Sequence, residues 1–84
     1  MMVLPQDIKQ YIESGLACQW VEVSGDGHHF EATIVSALFA GKSRVAQHQL
    51  VYRALGERMR EEIHALSMRT LTPAQWAEVS ASQD

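Results

Sequence analysis

Cysteine is almost missing from this chain: Cys18 stands alone among 84 residues. That excludes an internal disulfide framework and any metal centre built from four cysteines of one chain. Two prolines and five glycines leave no room for a P-loop or a dinucleotide fingerprint, both of which need closely spaced glycines. No apolar run approaches the ~20 residues of a membrane helix. A basic start followed by an apolar stretch, the mark of a signal peptide, is also lacking. These absences give the expectation of a cytoplasmic protein with no membrane segment. Positive charge is scarce as well: the formal net charge is −3, against the broad phosphate attraction of a basic nucleic-acid binder.

What is present suits one globular domain over 1–84, with a core at about 4–77 and a polar tail from 78 that should fray. Hydrophobic residues make up 46% and charged residues 20% of the chain, enough for a single core without staples. The charge is unevenly spread. Residues 1–40 set one base, Lys9, against five acids, whereas residues 41–69 set six bases against Glu57, Glu61 and Glu62. A mildly basic middle follows.

Leu4, Ile8, Tyr11, Ile12 and Leu16 recur at helical spacing, with Pro5 suited to the first turn and Gly15 to the end. Residues 18–24 favour a strand with Val21 and Val23 on one face, and residues 30–36 a second with Phe30, Ala32 and Ile34 on one face. Ser24-Gly25-Asp26-Gly27 between them is turn chemistry and predicts an antiparallel hairpin. Val45, His48, Val51, Tyr52 and Leu55 read as the apolar stripe of a helix that Gly56 ends. Arg58 to Glu62 adds a helical turn, Ile63 to Thr70 a third strand, and Thr72-Pro73-Ala74-Gln75 the capped start of a last helix. The order αββααβα implies an α+β domain: a three-stranded mixed sheet with helices packed on one face.

Enzyme chemistry finds little support. Cys18 has no basic neighbour and reads as a small packed hydrophobe. No serine sits in a nucleophile elbow, and Glu61-Glu62 reads as a solvated helix end. Histidines are the more informative residues. His28 and His29 lie at the end of the hairpin loop, His64 opens the third strand, and His48 lies on the helix stripe. Imidazole ligates borderline metals and the iron of iron–sulfur centres, so a loop histidine and a strand-end histidine can converge if the hairpin tip lies beside strand three. The plain readings are a solvated loop pair for His28 and His29, a half-buried strand residue for His64 and a core histidine for His48. Trp20 and Trp76 read as packing aromatics.

Three stretches together resemble one family. Val35-Ser36-Ala37-Leu38-Phe39-Ala40-Gly41-Lys42-Ser43, followed by Gln47-His48-Gln49-Leu50-Val51-Tyr52, is similar to the central motif of bacterial BolA-like proteins. Ile63 to Thr70 with Thr72-Pro73-Ala74-Gln75-Trp76 resembles their C-terminal motif, and Gly25 to Phe30 their variable loop. The resemblance implies a class II KH-like fold and a non-enzymatic role as partner of monothiol (CGFS) glutaredoxins. Through that partnership a [2Fe–2S] cluster would be bridged in iron–sulfur trafficking or iron homeostasis. Glutaredoxin and glutathione would hold one iron; His64 and a loop histidine, His29 or alternatively His28, would hold the other, so the isolated chain would carry no cofactor. Imidazole in place of thiolate raises a cluster's potential and makes it sensitive to protons.

Members of that family are also described as transcription regulators. For DNA the basic 41–60 region offers Lys42, Arg44, Arg53, Arg58 and Arg60 for phosphate contact, although Gly41-Lys42 is no GXXG nucleotide clamp. A self-sufficient zinc or copper site through His28, His29 and His64 is a third reading, and weak self-association into a homodimer stays open.

Overall fold

A computed structural model describes residues 3–61, 63 and 65–82, with only the backbone of Arg60, Glu61 and Ser82. His64 lies outside the described residues. The elements run α1 (Pro5–Gly15), β1 (Trp20–Gly25), β2 (His29–Val35), a 3₁₀ turn (Ala37–Phe39), α2 (Arg44–Leu55), α3 (Arg58–Glu61), β3 (Ala65–Leu71) and α4 (Pro73–Ser82). The predicted α+β order is therefore the observed one, with the 3₁₀ turn added.

Short polar side chains start the helices. The Leu4 N–H donates to Asp7 Oδ2 at 3.0 Å ahead of α1. Ser43 Oγ accepts from the Ala46 N–H at 3.2 Å ahead of α2. At α4 the Thr72 N–H donates to Gln75 Oε1 at 2.9 Å and the Gln75 N–H to Thr72 Oγ1 at 3.2 Å, the reciprocal box its sequence predicts. Gly56 ends α2 at φ 59°, a left-handed conformation that favours glycine.

The sheet order is β1-β2-β3, with β1 antiparallel and β3 parallel to the central β2. The parallel pair follows from the crossover through α2 and α3, because a hairpin cannot return a strand in the same direction. Register puts Val21 opposite Ile34 and Val23 opposite Ala32, and Phe30 beside Leu66. That face meets α1 and α2 over a core of Ile8, Ile12, Phe30, Ile34, Phe39, Val51 and Leu55, all 0–1% exposed. Alternation turns Trp20, Glu31 and Arg69 to the opposite face. There Trp76 of α4 stacks on Trp20 with ring centroids 5.7 Å apart, so the last helix reaches the second face at one end of the sheet.

Two expectations need correction. The buried stripe of α2 is Gln47, Val51 and Leu55, whereas Val45 is 68% and Tyr52 41% exposed. The reason is Gln47, whose amide nitrogen donates to the Phe39 carbonyl (3.0 Å) and the Lys42 carbonyl (3.2 Å) while its oxygen accepts from Thr70 Oγ1 (2.6 Å). A polar residue with all its needs met can occupy a core position. The tail expected to fray from 78 is helical as far as Ser82, as befits Ala77, Glu78 and Ala81, which are good helix formers. No helix among the described residues is long and apolar enough to cross a membrane.

Candidate metal-ligand site and basic groove

Asp26 organises the hairpin tip. Its Oδ1 accepts from the backbone N–H groups of both His28 and His29 at 2.9 Å, and its own N–H donates to the His29 carbonyl at 3.2 Å. The His29 N–H, then that of His28, holds the Asp26 carboxyl below the ordinary carboxylate value, because donors to a carboxylate favour its charged form. This turn fixes the backbone from which the two imidazoles project, and both histidines are exposed. His29 is the first residue of β2; alternation with buried Phe30 turns it to the sheet face away from α1 and α2.

His29 pairs with Ala65, the first residue of β3, across the parallel ladder. The hairpin end of β2 and the start of β3 are therefore adjacent. His64, whose own placement lies outside the described residues, is one peptide bond from Ala65 in sequence. On its other side Ile63 is buried, and its N–H donates to the Arg58 carbonyl at 3.1 Å.

Cys18 does not join this region. It is half-buried, and its thiol donates to the Leu16 carbonyl at 3.3 Å. Burial, with a smaller push from Glu13, raises its pKa above the usual thiol value, which disfavours the thiolate that ligates metals. Among the described residues no group of three or more His, Cys, Asp or Glu side chains is gathered to hold a metal ion. Two exposed histidines on one turn bring imidazole nitrogens of the type that completes an iron whose other ligands come from elsewhere.

The four basic candidates with described side chains do not form one surface. Lys42 and Arg44 line a groove of about 640 Å³ between the start of α2 and β3. Arg53, nine residues after Arg44 and so about half a turn round the helix, borders a separate hollow with Gln49 and Tyr52. Arg58 sits 4.1 Å over the Tyr11 ring, a cation–π contact that commits it to packing. The Arg60 side chain lies outside the described residues. His48 also lines the groove and is only half-buried, which corrects its reading as a core residue. Arg69 and Gln75 complete that lining. Arg69 was visible in sequence only as one charge among nine, because nothing in a strand's alternation says which edge it flanks.

Residues 8–75 match the family model described as BolA-like protein. The chain is 44% identical over 72 residues to the acid stress protein IbaG of Escherichia coli K12, spanning 84% of this chain and 86% of that one. It is 31% identical over 85 residues to the DNA-binding transcriptional regulator BolA of Haemophilus influenzae, with 89% and 82% covered. Among solved structures, a bolA protein homologue from Coxiella burnetii matches with a TM-score of 0.84 at 48% identity, covering 90% of this chain and 99% of that one.

Proposed function

The chain belongs to the BolA-like family, and on that premise we propose that it is a non-enzymatic partner of a monothiol (CGFS) glutaredoxin, the pair carrying a bridging [2Fe–2S] cluster as shared cargo. His64 and His29 are the ligands assigned to this chain, with His28 the alternative in the loop. The single observation that carries the reading is the register of the parallel ladder: His29 faces Ala65, the covalent neighbour of His64. His64 is one covalent step from Ala65, and for this reading its imidazole must reach the iron that His29 ligates across a strand spacing of about 4.8 Å.

The rest of the donor chemistry agrees. The chain offers imidazoles and half-buries its one thiol, and on this reading the thiolates come from the partner and glutathione. Asp26 holds the loop through the backbone N–H groups of both histidines. Imidazole binds metal only in its neutral form, so acid weakens the grip on the cargo. One relative carries the name acid stress protein, and acid-triggered release would fit such a setting.

Reconstitution tests this. Mixed with a CGFS glutaredoxin, glutathione, iron and sulfide, the chain should form a coloured heterodimer whose visible circular dichroism differs from that of the glutaredoxin alone. His64→Ala should abolish the difference, and one of His29→Ala or His28→Ala should do the same. An unaltered spectrum with His64→Ala removes the ligand assignment.

A second reading, DNA binding, is favoured by the relative named a DNA-binding transcriptional regulator and by the Lys42–Arg44 groove. It predicts sequence-specific binding that weakens steeply with salt, with a slope lowered by about one for each phosphate-contacting base removed. No sequence-specific binding near physiological salt ends it.

A further inference from the structure

The sheet has an open edge at β3, which pairs with β2 on one side and with no described strand on the other. The Ser36 N–H donates to the Leu71 carbonyl at 3.0 Å, so Leu71 turns its main-chain groups toward the β2 side. Main-chain groups alternate sides along a strand, so those of Arg69 also point inward and those of Met68 and Thr70 point out. This outward edge forms a wall of the 640 Å³ groove.

Charge surrounds the same edge on both faces. Lys42 and Arg44 stand on the α2 side. The Thr70 hydroxyl reaches Gln47 on that side, so Arg69, its neighbour, projects from the opposite face. No carboxylate lines the groove, and none of these three cations has an ion pair among the described residues. In a chain of net charge −3, three bases with no ion pair among the described residues, and with Glu31 alone as an acid in the hollow beyond Arg69, make a local field of the sign that attracts anions.

We propose that the β3 edge binds an extended acidic peptide segment of a partner protein by strand addition. The main-chain groups of Met68 and Thr70 supply the ladder, and alternate acidic side chains meet Lys42 and Arg44 on one face and Arg69 on the other. Strand addition takes its affinity from main-chain hydrogen bonds and its specificity from alternate side chains. Single-stranded nucleic acid suits the groove less well, because His48 is the one ring in its lining and no Phe, Tyr or Trp stands there to stack successive bases. A second copy paired through β3 would set these cations against their own likeness. The proposal stands apart from cluster sharing, since neither His28 nor His29 lines this groove.

The test uses the ¹⁵N-labelled full chain titrated with a short acetylated peptide of glutamate, aspartate and valine. Expected are amide shifts confined to Met68, Thr70 and the start of α2. Arg69→Glu and Lys42→Glu, both exposed, should each weaken binding about tenfold. N-methylation of alternate peptide amides should abolish binding, and a lysine peptide should not bind. Equal affinity for the N-methylated peptide would reduce the contact to charge alone and overturn strand addition. So would an oligonucleotide that shifts the same amides while the acidic peptide shifts none, or silence of both, which would leave Arg69 as an edge-blunting charge.

Discussion

Replacing Gln47 by leucine tests how this fold holds its groove together. Gln47 is 9% exposed and ties the turn after Phe39, the loop at Lys42 and strand β3 to helix α2. Leucine takes away one of the two donors to the Phe39 carbonyl, the Lys42 N–H remaining at 3.2 Å, at about 1 kcal/mol, and breaks two part-buried bonds worth roughly 0.5–1 kcal/mol each, since water can replace them. Extra apolar burial returns on the order of 1 kcal/mol, because two methylenes of glutamine are already inside. The net loss is about 1.5 kcal/mol, which for a domain of this size lowers Tm by about 6–12 °C. Thermal unfolding followed by circular dichroism measures it. Combining Gln47→Leu with Thr70→Val should cost about 1 kcal/mol less than the sum of the single changes, because their shared hydrogen bond is then lost once and neither of its two groups is left behind. A Gln47→Leu protein as stable as the parent, or strictly additive losses, would refute the reasoning.

Gly15→Ala would bring a Cβ to 2.8 Å from Ala54 Cα and 2.9 Å from Ala54 Cβ; the overpacking, about 1–3 kcal/mol, should outweigh a helix-propensity gain of about 1 kcal/mol at most. The urea midpoint should fall, and a rise would contradict the close approach of α1 to α2. Because the folded pKa of Asp26 is lowered, its hold on the loop is complete above the unfolded carboxylate pKa and is lost as pH falls through the lowered value. The side-chain carboxyl resonance of Asp26 should accordingly titrate with a midpoint below pH 3.8; a midpoint at or above it counts against the turn. Trp76→Phe should erase the near-ultraviolet coupling of the Trp20–Trp76 stack. Thr72→Ala should diminish it by loosening the start of α4 at a cost of about 1 kcal/mol, and a signal untouched by both would show that the rings do not stack.

Much of this architecture is written in local chemistry. Gly25-Asp26-Gly27 between two alternating segments specifies the hairpin, and Thr72-Pro73 with Gln75 specifies the start of α4 almost to the residue. Gln47 was illegible because an apolar-stripe reading counts hydrophobic residues and passes over an amide whose three partners are distant in the chain. Val45 and Tyr52 entered the stripe for the same reason: their hydrophobicity suits a buried face that Gln47 had already claimed. The neighbourhood of His29 and Ala65 depends on a parallel register set by tertiary packing, which the histidine spacing alone cannot give. The division of Lys42, Arg44, Arg53 and Arg58 among three surroundings likewise emerges only when the helices are wound and docked.

The central claim is that His29 and His64 grip one iron of a cluster whose other ligands the partner brings. Pulsed electron paramagnetic resonance of the reduced heterodimer, with this chain carrying ¹⁵N-imidazole histidine, reads that bond directly. Two labelled nitrogens strongly coupled to the cluster are predicted, falling to one in His29→Ala and in His64→Ala wherever the cluster survives. A cluster with no labelled nitrogen coupled to it would contradict the account.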